Sequence, residues 1–219
     1  MLDIILEKAG KQFNDDWIFS NLDFTFSTDH ATVILGSNGS GKSTLLQVIS
    51  SAIMPTMGNI RYEMKGSTIR PEHAFRLMSI AAPYIELIEG FTLTEMICFH
   101  RRLKPLVRNM STSELIKICQ LENNADKPLK YFSSGMKQRL KLALAIMSDT
   151  PVLLLDEPVS NLDKAAIEWY NDLIRKNTND RLVVVSSNSI EEEFGFCTRQ
   201  VRLEDFKKAP LPETASLLY

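Results

Sequence analysis

Along the first third of the chain, hydrophobic and polar residues mostly alternate. "DIILEKA" and "NLDFTF", with Leu22, Phe24 and Phe26 set between polar residues, have the period of two that predicts half-buried antiparallel strands. "ATVIL" is an unbroken apolar run, which predicts a strand buried on both faces. A helix-like stretch, "TLLQVISSA", follows a glycine-rich segment, and "NIRYEM" and "LMSIAA" predict further strands. The middle of the chain changes period. "LTEMICFHRRL", "STSELIKICQL" and "SGMKQRLKLALAIM" all carry helical spacing, and Ser111 with Glu114 forms a capping-box pattern. From "PVLLLDEP" the chain returns to strand, then an Asp163-capped helix through "KAAIEWYNDLIRK", then the strand "RLVVVSS". Strands alternating with helices imply an α/β fold around a parallel sheet. The expected organisation is one domain over 1–219, its core formed by 1–82 and 150–219, with a helical insertion over 83–149. "APLPETASLLY", with two prolines and little pattern, reads as a tail or packing arm.

Composition narrows the classes. A chain of 219 residues with 44% hydrophobic residues can bury an ordinary globular core. Its apolar runs are far shorter than the roughly 20 residues of a membrane-spanning helix, and "MLDIILEKAG" lacks the basic start of a signal peptide. A cytosolic location is the expectation. Cys98, Cys119 and Cys197 are odd in number and scattered, which suits reduced core thiols better than a disulfide frame or a zinc site. Lys and Arg total 25 against 27 Asp and Glu, so the formal charge of -2 makes no global electrostatic case for nucleic acid or anionic lipid. Partners must be sought through local chemistry.

Two segments carry that chemistry. "GSNGSGKST", Gly36 to Thr44, satisfies G-x-x-x-x-G-K-[ST] between a predicted strand and a predicted helix. Gly36, Gly39 and Gly41 let backbone N–H groups turn toward phosphate oxygens, with Ser37, Asn38 and Ser40 between them, and the helix start adds partial positive charge. Lys42 would neutralise phosphate, and Ser43, ahead of Thr44, would ligate Mg²⁺. In "PVLLLDEP" a buried strand ends in Asp156 and Glu157, and Pro158 stops the ladder. Asp156 can hold Mg²⁺ through water, and Glu157 can orient or deprotonate an attacking water. Taken alone, that second segment is a common strand end before a turn.

A third segment changes the weight of both. "FSSGM", residues 132 to 136, would in isolation be a serine cap on a core helix. Standing shortly before "PVLLLDEP", it resembles the signature loop, usually written LSGGQ, of the ATP-binding cassette ATPases that serve ABC transporters. Ser133 and Gly135 match, while Phe132, Ser134 and Met136 depart. "SNLD", Ser160, Asn161, Leu162 and Asp163, is similar to the family's D-loop. The resemblance covers essentially the whole chain. It implies a P-loop NTPase fold with a RecA-like core, an N-terminal antiparallel β subdomain and an inserted α-helical subdomain. It also implies a head-to-tail dimer, with ATP between the P-loop of one copy and Ser133, Ser134, Gly135 and Met136 of the other. Its cofactors would be ATP and Mg²⁺, and its partners a second cassette and separate transmembrane permease subunits on the inner face of the membrane. Phe13 stands where the family places an aromatic against adenine, a contact of about 1 to 3 kcal/mol by analogy with base stacking; Trp17 is the alternative. Tyr62, Phe75 and Trp169 need nothing beyond packing.

The chain departs from the family twice. "SIAAPYIELIEGFTLTE" contains no glutamine where relatives place one beside Mg²⁺ and the attacking water. Pro83 falls near that position, with Tyr84 and Glu86 close by, and Glu86 is a possible oxygen ligand. In "VVVSSNSIEEE" Asn188 replaces the family's switch histidine, so a group that can become a cation gives way to an amide that cannot. Binding and dimer closure are therefore expected to survive, with hydrolysis slowed. Other readings are a regulatory cassette of weak turnover, a soluble clamp on DNA or ribosomes, and a different P-loop enzyme. The signature and D-loop oppose the last.

Overall fold

A computed structural model describes residues 1–207, so "APLPETASLLY" lies outside the described residues. The chain opens with β1 (Leu2–Phe13), β2 (Asp16–Ser27), β3 (Thr32–Leu35) and α1 (Lys42–Ile49). It continues through β4 (Met57–Met64), β5 (Ser67–Ile69), α2 (Pro71–Ala74) and β6 (Met78–Ala81). Three helices follow: α3 (Leu93–Leu103), α4 (Thr112–Cys119) and α5 (Ser134–Ile146). The last part runs β7 (Val152–Asp156), α6 (Lys164–Asn177), β8 (Leu182–Ser187), α7 (Glu191–Phe194) and β9 (Arg199–Arg202).

These strands make two sheets. One is antiparallel, in the order β2-β1-β4-β5; the other is parallel, in the order β6-β7-β8-β3-β9. The alternating N-terminal segments form the first, and the unbroken apolar runs form the second. β3, β7 and β8 are buried along their whole lengths, as inner strands covered on both faces must be. One core lies between α1, the parallel sheet and the antiparallel sheet, and another joins the sheet's opposite face to α3, α4 and α5.

β1 and β2 run past the residues where the alternation suggests they end. The cause is a bulge. Leu2, Ile4 and Leu6 are buried in alternation, then the phase changes and Ala9 is the next buried residue. Lys8 there has φ of 47°, and its amide leaves the ladder for the Asp23 carboxylate at 2.7 Å. Gly58 faces this bulge with φ of +68°, and a Cβ on it would stand 2.2 Å from the Lys8 carbonyl oxygen. A backbone pushed outward on one strand thus requires a missing side chain on its neighbour.

The helical stretch is tied at both ends. Thr92 caps α3 and Ser111 caps α4, each in a reciprocal capping box with Glu95 or Glu114. Bridges between Thr92 and Pro128, and between Leu106 and Ser148, hold the strands of chain that enter and leave the helices. Phe75 corrects the packing expectation. Tyr62 is buried with its hydroxyl on the Ile49 carbonyl, and the half-buried Trp169 donates to Ile118, but Phe75 is 57% exposed. It sits in a 3-10 turn before β6 and lines an open groove with Met78, Lys104 and Leu144 instead of entering the core.

Gly58 supplies a test of the bulge. Gly58→Ala is expected to lower the thermal midpoint by about 5 °C or more, because positive φ and backbone overlap add. Gly66→Ala, at φ of +79° with nothing within 4 Å of a Cβ, should lose clearly less. Equal losses in thermal unfolding would remove the contact with Lys8 as the cause.

Candidate active site

The carboxyl ends of β3, β7 and β8 meet at one edge of the parallel sheet. Register sets their heights: Leu35 pairs with Ser187, and Asp156 pairs with Ser186. The glycine-rich loop therefore leaves β3 beside the two carboxylates that end β7. Their common cavity, of about 280 Å³, is lined by Asn38, Gly39, Gly41, Lys42, Ser43, Thr44, Glu157 and Ile18. Sequence reasoning missed Ile18. It lies under Gly41, whose φ is +105° and whose Cβ would stand 2.1 Å from the Ile18 Cγ2, so close approach as well as dihedral freedom demands glycine there.

Gly36, Ser37 and Ser40 do not line the cavity: Gly36 and Ser40 are buried and Ser37 is exposed. Ser40 is buried with its amide on the Ser37 carbonyl, and its Oγ has no partner. The Ser37 amide is committed elsewhere. It donates to Glu204 Oε1 at 2.7 Å, a contact that holds the Glu204 carboxyl below the usual range. Asn38 is thus the first residue of the loop to line the cavity. The Lys42 ammonium lies within the loop, 2.8 Å from the Gly36 carbonyl and 3.1 Å from that of Ser37, and 3.8 Å from Glu157 Oε1.

Asp156 is 1% exposed and accepts a hydrogen bond from Ser186 Oγ. Its other oxygen, Oδ2, is buried without a partner. An unsatisfied carboxylate oxygen near a serine-headed helix fits a hydrated Mg²⁺, an oxygen-seeking cation that keeps several waters. Glu157 follows in left-handed backbone, φ 46°, its amide on the Ser186 carbonyl. For a glutamate this is a strained conformation, and it turns the side chain out of the sheet toward the cavity. Across the loop, Asn188 Nδ2 donates to Asn38 Oδ1 at 3.2 Å.

The serine turn stands apart. Ser133 caps α5, accepting from the Met136 amide at 3.2 Å, and Met136 packs partly into the helical core. Ser133, Ser134, Gly135 and Met136 share a cavity of about 520 Å³ with Asn161, Leu162 and Asp163. A Cβ on Gly135 would lie 3.1 Å from the Asn161 carbonyl, and Asp163 caps α6 through the Ala166 amide. Gln138, buried on α5, donates to the Pro158 carbonyl at 2.8 Å and links this turn to the end of β7. Phe13 is 46% exposed at the β1–β2 hairpin, with the Lys11 ammonium 5.1 Å from its ring centre, while Trp17 lies against Gly10. Glu86 turns away from the cavity, toward Lys141 and an apolar groove.

No sequence pattern singles out Glu193. It is fully buried, and neither carboxyl oxygen has a well-formed hydrogen bond. Burial pushes the carboxyl up to about 7, against the opposing pull of the Ser187 hydroxyl and Val159 amide and with added push from Glu157 and Asp156. From its ordinary 4.5 to about 7, the folded chain keeps a proton that the unfolded chain releases. Rising pH therefore removes stability across that window, and the loss is complete above it. Glu193→Gln, which cannot ionise, should flatten this slope and gain in thermal midpoint on the parent between about pH 5 and about pH 8. Parallel profiles would show that Glu193 does not titrate there.

Comparison with known proteins agrees with this geometry. The ABC transporter family matches residues 19–160. The chain is 30% identical to the cytochrome c biogenesis ATP-binding export protein CcmA of Agrobacterium fabrum over 85% of this chain and 88% of that protein. It is 28% identical to the Nod factor export ATP-binding protein I of Burkholderia lata over 94% of this chain and 69% of that one. Among solved structures, an ABC transporter ATP-binding protein of Pyrococcus furiosus superposes with a TM-score of 0.77 at 18% identity, covering 94% of this chain and 100% of that one. A dimeric bacterial ABC transporter cassette superposes with a TM-score of 0.75 at 23% identity over 91% and 93% of the two chains. These likenesses at low identity speak for the fold, and the family match over more than half of the chain decides membership: the chain is an ATP-binding cassette of the ABC transporter family.

Proposed function

We propose that this cassette binds and hydrolyses ATP at a head-to-tail dimer interface and so drives an exporting transporter built from separate membrane subunits. One observation carries the reading. The cavity holding the phosphate loop with Glu157 and the cavity holding the serine turn share no lining residue, so each is half of a site. A second copy turned by a two-fold axis completes both. The relatives named above are export proteins, which supports the direction.

Within the site, Lys42 and the amides from Asn38 onward hold the phosphates, and the Ser133–Gly135 turn of the partner copy closes on them with hydroxyls and a helix start. Mg²⁺, held by Ser43 and through water by Asp156, would neutralise charge on the phosphate oxygens. Glu157 orients and deprotonates the attacking water, for which its strained backbone places it at the cavity wall. Asn188 donates toward the loop through Asn38 but cannot carry a proton. Phe13, open at its hairpin, is the face for adenine. The Gln138 bond to Pro158 passes displacement of α5 to the end of β7.

The membrane subunits need a seat. A groove of about 360 Å³ lies beside residues 82–91, floored by Met78, Ile80, Ile85, Leu87 and Leu144, with the exposed ring of Phe75 at its mouth. Lys104, which donates to the Phe75 and Met78 carbonyls, and Lys141 flank it. Among the described residues no helix is long and apolar enough to cross a membrane, and this groove is the proposed contact with subunits that do.

Glu157→Gln should cut steady-state ATP hydrolysis by about 100-fold or more and leave an ATP-dependent dimer on size exclusion; a variant that still turns over would remove Glu157 as the base. Asn188→His should raise turnover by roughly tenfold, as expected where a proton-carrying group is restored. An unchanged or lower rate would assign the slow step elsewhere.

A further inference from the structure

β9 lies beside β3 in the parallel sheet, and the register pairs Arg202 with Leu35. The segments that follow, a 3-10 turn over Leu203–Phe206 and the glycine-rich loop, therefore leave the sheet side by side. Leu203 is fully buried and anchors the turn, its Cδ2 3.4 Å from where a Cβ on Gly41 would stand. Glu204 is exposed, yet its carboxylate lies against the loop. A Cβ on Gly36 would stand 3.2 Å from Oε1, the oxygen that accepts from the Ser37 amide at 2.7 Å.

That amide belongs to the same peptide unit as the Gly36 carbonyl, which accepts from the Lys42 ammonium at 2.8 Å. The unit is planar, with its N–H and C=O on opposite sides, so holding one end sets the direction of the other. A single peptide is thus gripped between an anion and a cation. Each contact strengthens the other, because an amide engaged by a carboxylate makes the carbonyl across the unit a better acceptor. The Ser37 carbonyl adds a second contact to the ammonium at 3.1 Å. Glu204 itself does not line the nucleotide cavity, so any effect it has on a bound phosphate passes through the loop.

We propose that Glu204 is a positioning residue of the nucleotide site: by holding the Gly36–Ser37 peptide it fixes the carbonyl on which the Lys42 ammonium is seated, and so the place from which Lys42 meets phosphate. The proposal rests on the ATP-binding reading above. Its sign separates it from simple charge repulsion. An acid near a phosphate site repels the ligand, so removing one should tighten binding, whereas losing the grip on the loop should weaken it.

The experiment measures binding of a non-hydrolysable ATP analogue with Mg²⁺, together with thermal unfolding, on the full chain for the parent, Glu204→Ala, Glu204→Gln and Asp205→Asn. Glu204→Ala should bind about fivefold more weakly, the weight of one net hydrogen bond. Glu204→Gln keeps an accepting oxygen without the charge and should stay within about twofold of the parent. Asp205→Asn removes an acid from the same turn and should bind at least as tightly as the parent. All four should unfold within about 3 °C of one another, as expected for changes at exposed side chains. Unchanged or tighter binding in Glu204→Ala overturns the proposal while leaving the ATP reading intact. So does a Glu204→Gln as weak as Glu204→Ala, an equal loss in Asp205→Asn, or a loss of affinity that comes with a midpoint lowered beyond that margin. A parent that binds no analogue overturns the ATP reading and the proposal together.

Discussion

A single hydrogen bond, from Ser186 Oγ to Asp156, lets a carboxylate stand at the end of a strand that water does not reach. Burying a charge without partners costs several kcal/mol, so the end of β7 is tolerable only because β8 arrives beside it in register with a hydroxyl. That register is in turn fixed by four- to six-residue apolar strands packed on both faces. One half of the carboxylate is thereby satisfied and the other left open. The next residue, Glu157, leaves the sheet in left-handed backbone and lines the cavity with the glycine-rich loop.

Crowding is the consequence. Asp156, Glu157 and Glu193 bring carboxyl groups toward one region, and the cations facing them are few: Lys42 lies within the loop, 3.8 Å from Glu157. Burial first, and the charges of Glu157 and Asp156 only after it, pushes the Glu193 carboxyl up to about 7. Under the proposed reading, a cation brought with the nucleotide would meet the open oxygen of Asp156.

Local features were legible in the sequence. The loop from Gly36 to Thr44, the paired carboxylates and the caps at Ser111, Ser133 and Asp163 depend on residues a few positions apart, and patterns of that range are readable in one dimension. Partnerships formed across the chain were not. Ser37 with Glu204 spans 167 positions, and Ile18 under Gly41 joins two different sheets' worth of chain. Glu193 lies in a run of three glutamates that reads as solvated surface, yet the short helix α7 turns one of them wholly inward.

The left-handed backbone at Glu157 sets two demands against each other. A glycine or asparagine would sit there with less strain, since neither meets the steric conflict that a longer side chain does. Glu157→Gly is therefore a substitution that would ease the backbone and remove the carboxylate in one step, so stability and the proposed chemistry pull on this position in opposite directions.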